Sequence, residues 1–156
     1  MLRIVLATAH LLAIGIGLGA VWARARALGE RPLNRGSARR AITADAWWAL
    51  SAFLWISSGL WRLLVGTEKA TAYYLSNRMF LAKMGFLAAI LLLELWPIVT
   101  LVRWRRAAAR GGSSWTPDVW QAATVRIISY VEASLVIAMV TASVMMARGY
   151  GAAGPR

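Results

Sequence analysis

The sequence predicts an all-α protein, a single four-transmembrane-helix bundle over residues 1–156. Three observations lead there. The chain is 60% hydrophobic and 15% charged, with a mean hydropathy of +0.58, whereas soluble domains are roughly half apolar and a quarter charged. Four apolar stretches each approach the about 20 residues a spanning helix needs. The basic side chains gather in alternate connections between those stretches.

The same composition excludes other classes. A chain this rich in aliphatic and aromatic side chains is not a disordered polymer. With Cys 0 there is no disulfide, thiolate metal site or cysteine nucleophile. With His10 as the single histidine, no multi-histidine metal site forms within one chain.

The first span runs over residues 2–23 and reads LRIVLATAHLLAIGIGLGAVWA. Arg3 precedes it and Ala23-Arg24-Ala25 follows, as in a secretory leader. The apolar run is too long for a leader, and the basic residues after it resist translocation, so it is expected to be a retained anchor. The Gly15, Gly17, Gly19 run lies inside this span with no strand before it, so it is not a dinucleotide loop. The second span covers 46–65. The third covers 79–102, with Pro97 freeing the Leu93 carbonyl and predicting a kink and a polar site near Glu94. The fourth covers 122–147. No strict alternation of polar and apolar residues supports strands or a barrel. In hydrocarbon a helix satisfies its own backbone, which makes each span helical. The tail GYGAAGPR reads as frayed.

Orientation follows from the arginines. The connection after the first span carries Arg24, Arg26, Arg31, Arg35, Arg39 and Arg40. The one after the third carries Arg103, Arg105, Arg106 and Arg110, with Arg126 beyond. The connection between the second and third spans holds Glu68, Lys69 and Arg78; the ends hold Arg3, Arg148 and Arg156. The positive-inside rule places both arginine-rich connections in the cytoplasm and both termini outside. Trp22, Trp47, Trp48, Trp104, Trp115 and Trp120 are expected at the inner interface; Trp61, Tyr73, Tyr74 and Tyr150 at the outer one. Glycines and prolines at Gly29, Pro32, Gly36, Gly111, Gly112 and Pro117 fit short connections.

A formal charge of +12 also suits nucleic acid. No recognition motif accompanies the charge, and its alternation by connection is that of a membrane protein. Membrane lipid is the expected partner, at about 1 kcal/mol per basic side chain near an anionic surface; nucleic acid is not.

Ionisable side chains inside a span are costly and face the bundle interior. They are His10, Lys83, Glu94 and Glu132, with Arg62, Arg78 and Arg126 nearer the ends. At 1.5 Å per residue, His10 lies about 10 Å below the outer boundary, Lys83 about 6–8 Å, and Glu94 and Glu132 about 20 Å. That predicts an outer cationic layer and an inner acidic one. His10 shares a small-residue face with Ala13, Gly17, Ala20 and Arg24. Lys83, Leu87, Ile90 and Glu94 share another; so do Ser51, Trp55, Ser58 and Arg62, and Ser129, Glu132, Val136, Met139, Ser143 and Met146.

Each polar group has functional readings and a packing one. His10 is either an axial ligand to haem iron or a neutral packing residue bonded across helices. Lys83 pairs with a ligand carboxylate, ligates iron when neutral, serves a proton path, or snorkels to the outer interface. Glu94 and Glu132 share a proton, or each is protonated or salt-bridged to Arg126 or Lys83.

The opening LRIVLATAHLLAIGIGLGAVWARARAL and the segment SNRMFLAKMGFLAAILLLELWPIVTLVRWRR resemble a family of small bacterial four-helix membrane proteins of unknown function. More distantly, the first-span His and the third-span Lys resemble the CopD-like superfamily, which includes copper-resistance membrane proteins and a membrane-bound, haem-containing protoporphyrinogen oxidase. That resemblance implies an axial haem-ligand role for His10 and a functional role for Lys83. The chain lacks the oxidase's further His after the Lys and its Arg-x-x-Asn-Glu pattern. The leading expectation is a redox-type membrane protein with b-type haem held by His10, and with Lys83, Arg62 and Arg78 neutralising porphyrin carboxylates. The rival expectations are a non-catalytic accessory subunit of a larger membrane complex or a homo-oligomer, and a small proton-coupled transporter using Glu94 and Glu132.

Overall fold

The computed structural model describes residues 1–65, 71–111 and 115–152, without the side chains at 2, 3, 71 and 72. Glu68, Lys69, Gly112, Arg156 and the side chain of Arg3 therefore lie outside the described residues. Among those described, the chain is helical and has no strand: α1 is Leu2–Gly29, α2 Arg35–Leu64, α3 the short Thr71–Ser76, α4 Arg78–Gly111 and α5 Val119–Ala147.

Three of these helices are long and apolar enough to cross a membrane, over Ile4–Gly29, Arg78–Gly111 and Val119–Ala147. The second expected span is not among them. Trp47, Trp48, Trp55 and Trp61 with Ser51, Ser57 and Ser58 dilute the apolar content of α2.

Each long helix overruns the apolar stretch that announced it. Hydropathy marks where charge begins, not where backbone hydrogen bonding ends. Arg24 and Arg26 sit in α1, Arg35, Arg39 and Arg40 in α2, and Arg103, Arg105, Arg106 and Arg110 in α4, all on helix rather than loop. The α1–α2 connection shrinks to Glu30–Asn34. Asn34 caps α2, its Oδ1 accepting from Ser37 N at 3.0 Å, and Asp118 caps α5, accepting from Gln121 N at 2.7 Å. Each satisfies one orphan donor of a first helical turn. α4 continues through the buried Pro97.

The start of α4 corrects the expectation of a frayed tail for residues 149–152; residues 153–156 lie outside the described residues. Asn77 is fully buried. Its Oδ1 accepts from Met79 N at 2.8 Å, while its Nδ2 donates to the Tyr150 carbonyl at 3.2 Å. Arg78 N donates to the Gly151 carbonyl at 2.9 Å. The turn after α5 is thus docked on the cap of α4.

α1 is the central helix, packed along α2 on one side and α5 on the other; α4 lies against α5, and α2 and α4 scarcely touch. Gly17 allows α1 to approach closely, since a Cβ there would stand 3.1 Å from the Trp48 ring. Two apolar clusters fill the interior. One holds Ala13, Val21, Trp48, Trp55, Ile90, Val136 and Met139; the other holds Leu28, Ala41, Leu101, Trp104, Ala122 and Val125. Trp48 and Trp104 are therefore core residues, not interface markers. Outward faces carry exposed Leu11, Ile16, Phe53, Leu92, Ile127 and Ile137, the pattern of a surface facing lipid rather than water.

Candidate functional site

Between the two apolar clusters lies one polar layer, and its centre is Arg24. The face predicted for α1 is the buried one: His10, Ala13, Gly17, Ala20 and Arg24 all point inward. At the level of Arg24, each of the other long helices presents an acceptor. Arg24 Nε donates to Ser129 Oγ of α5 at 2.9 Å. Nη1 donates to Asp45 Oδ1 of α2 at 2.5 Å and to Glu94 Oε1 of α4 at 2.7 Å. Nη2 donates to Glu94 Oε2 at 3.0 Å and to Glu132 Oε2 of α5 at 2.5 Å. A guanidinium has five N–H donors in a rigid fork, and here every one is used. Ser129 accepts because its own proton goes to the Val125 carbonyl at 2.7 Å.

This corrects the expected partners of the acidic layer. Glu94 and Glu132 meet at Arg24, not at Arg126 or Lys83. Asp45 joins them as a third carboxylate. Burial of such charges is tolerable only when they are paired and hydrogen-bonded, and Arg24 supplies both conditions. Two polar atoms nearby are buried without a partner among the described residues, Glu132 Oε1 and Arg126 Nε.

About four turns along α1, toward its N-terminus, lies a second site. His10 is 6% exposed, and its Nδ1 stands 2.9 Å from Ser58 Oγ. The Ser58 hydroxyl bonds back to the Leu54 carbonyl at 2.7 Å. A Ser58 hydroxyl that donates to this carbonyl accepts from His10 Nδ1–H. In that tautomer Nε2 carries the lone pair, the arrangement a metal-ligating imidazole needs. Gly59 makes room for the ring, because a Cβ there would lie 3.1 Å from His10 Cε1.

His10 lines a cavity of about 330 Å³ together with Trp55, Arg62, Phe80, Lys83 and Met139. A second lobe of about 160 Å³ continues from His10, Phe80 and Lys83 toward Ile56, Leu60 and Met84, along the side where α2 and α4 scarcely meet. Among the described residues, the lining holds two cations and a histidine against mostly apolar walls, with no carboxylate. The expected cationic layer thus takes the form of a cavity. Arg78 is not part of it: the side chain is exposed at the start of α4 and lines neither lobe.

Arg24, Asp45 and Ser129 were not among the expected site residues. Arg24 carried a signal, since it shares the helical phase of His10. Asp45 carried less, standing one residue before its apolar stretch.

The model of the family described as predicted membrane protein (DUF2214) matches residues 2–151. The chain belongs to this family, and it is a membrane protein. No curated protein and no solved structure matches it.

Proposed function

We propose that the chain is a four-span inner-membrane bundle, both termini periplasmic, that binds a flat, largely apolar ligand with acidic groups beside His10, and that this ligand is b-type haem in a redox role. One observation carries the reading: a buried imidazole, its Nδ1 2.9 Å from Ser58 Oγ, lines an apolar cavity whose charged neighbours among the described residues are Arg62 and Lys83. The donor set fits the group. His10 offers Nε2 to iron. Arg62 and Lys83 suit two carboxylates, as charge-assisted pairs do in low dielectric. Trp55 and Phe80 offer aromatic walls. When bound, haem supplies one-electron transfer. The protein's part is to fix the imidazole tautomer, neutralise the acidic edge and exclude water. The likeness of His10 and Lys83 to the CopD-like superfamily points the same way. α2 is read as a crossing helix because it packs along α1, which is itself long and apolar enough to span.

Titrating haem into detergent-purified apoprotein tests this. One equivalent is expected to give a saturable Soret band, with Lys83→Gln and Arg62→Gln each weakening binding about tenfold, the loss of one charge-assisted bond. Unsaturable absorbance, unchanged in both variants, would overturn the assignment and leave an accessory subunit.

A second reading rests on three carboxylates facing one guanidinium, with Glu132 Oε1 unpartnered. That cluster suits a proton-coupled transporter. It predicts pH-driven flux in liposomes that Glu132→Gln abolishes.

A further inference from the structure

The opposite end of the molecule carries a second binding feature, unconnected with His10. On the outer face of α2, Arg39, Thr43 and Trp47 follow one another at four-residue spacing, so they form a ridge along one side of the helix. The ridge separates two grooves. The first, about 960 Å³, lies between α2 and α1 and has a floor of small residues, Gly19, Ala20, Ala23 and Ala27. The second, about 460 Å³, lies on the other side of the ridge, walled by Ile42 and Leu50 and reaching Arg105 of α4. Arg39, Thr43 and Trp47 line both grooves.

The charge is placed at one end only. Arg26 and Arg40 stand at the head of the first groove, Arg105 borders the second, and Arg39 heads both. Arg40 is paired with Glu30, the carboxylate that also lines the first groove. Arg26, Arg39 and Arg105 form no ion pair among the described residues. Below the charges the walls turn apolar, and Trp22 and Trp47 are about half exposed. The apolar stretch of α1 gives way to Arg24 and Arg26 before the helix ends, and such arginines and tryptophans at the end of an apolar stretch anchor a helix at headgroup level.

We propose that this ridge is a binding site for one anionic diacyl phospholipid, its phosphate held by Arg39 between Arg26 and Arg105 and one acyl chain in each groove. Two grooves flanking one ridge, with Arg39 common to both, match two chains joined at one phosphate. A second copy of this chain would have to bring a carboxylate to Arg39, and a polyanion in water would leave both grooves empty. Basic pockets between spanning helices recognise acidic headgroups in this manner. The site goes beyond unspecific attraction of basic connections to a charged surface, because it predicts stoichiometry and names its residues.

Native mass spectrometry of the detergent-purified full chain, offered phosphatidylglycerol and phosphatidylcholine at equal concentration, decides it. The wild type is expected to retain one phosphatidylglycerol at least about tenfold over phosphatidylcholine. Arg39→Gln lowers that retention about fivefold, the worth of one basic side chain at an anionic lipid. Thr43→Trp, which fills the grooves and keeps every charge, lowers it too. Arg103→Gln, an exposed arginine that lines neither groove, leaves it unchanged. Equal retention of the two lipids overturns the proposal, as does the same loss in Arg39→Gln and Arg103→Gln. Displacement of the lipid by millimolar inorganic phosphate would reduce the site to its charges and overturn the two-groove assignment. A dimer that Arg39→Gln dissociates, with no lipid adduct, would assign the ridge to a second copy instead.

Discussion

Arg24 Nη2 donates to Glu132 Oε2 at 2.5 Å across the α1–α5 interface, and neither side chain has any exposed surface. Three further acceptors surround the same guanidinium, one each from α2, α4 and α5. A single side chain therefore ties together the four long helices, between an apolar cluster above and another below. In a membrane, where apolar burial gives helices little reason to prefer one another over lipid, such polar contacts select the register.

Removing Arg24 strands the buried Glu132 carboxylate and the half-buried Asp45 and Glu94. Arg24→Met is expected to cost about 3–5 kcal/mol, as when one partner of a buried ion pair is deleted. Glu132→Gln keeps the shape and an acceptor, and its cost is expected to stay within about 1–3 kcal/mol. Reversible unfolding in mixed micelles of increasing denaturing-detergent fraction measures both. Equal, small losses would show that the network does not hold the bundle.

Ser58→Ala removes the acceptor of His10 Nδ1–H. The fold is expected to lose only about 1 kcal/mol. Haem affinity is expected to fall about 10–100-fold, the usual effect of deleting the partner that orients a ligating histidine. Gly59→Ala does similar damage by another route, since its Cβ crowds His10 Cε1 at 3.1 Å. Haem titration of the two variants, beside their thermal unfolding, separates orientation from stability.

Gly151 has φ +75, and a Cβ there would stand 3.0 Å from Asn77 Oδ1 and from Met79 N. Gly151→Ala is expected to destabilise by about 1–2 kcal/mol from the left-handed backbone alone. It is also expected to undock the tail from the α4 cap. Faster hydrogen exchange at Arg78 and Met79 in the variant would report that release; unchanged protection would contradict it.

Glu30 lies just beyond the α1 span. Hydrogen bonds from Arg40 first, then Ser37, hold its carboxyl below the usual glutamate value. A carboxylate lowered in the folded state adds stability above its unfolded value and loses it as pH falls through the folded one. Stability is therefore expected to decline on acidification through that window, and Glu30→Gln to remove this part of the decline. Melting temperature against pH for both proteins checks the sign.

Much of this was readable from spacing. The buried face of α1 from His10 to Arg24, the α2 face through Ser51, Trp55 and Ser58, and the α5 face through Ser129, Glu132, Val136 and Met139 are set by the 3.6-residue period. The role of Arg24 was not. Counting charges between apolar stretches assigns it to a connection, yet the helix continues past the stretch and its phase returns the guanidinium to the core. Asp45 was lost for the same reason at the other side of that boundary. The tautomer of His10 depends on Ser58, 48 residues away, a pairing that only the packed helices disclose.

The haem assignment at His10 is tested most directly by one absorption spectrum. Wild-type protein and His10→Ala would be expressed with haem in excess, purified in mild detergent and compared at equal concentration. A Soret band near one haem per chain in the wild type, lost in His10→Ala while the variant stays folded, is the predicted result. A wild-type spectrum without that band, or a band that survives the substitution unaltered, would contradict it.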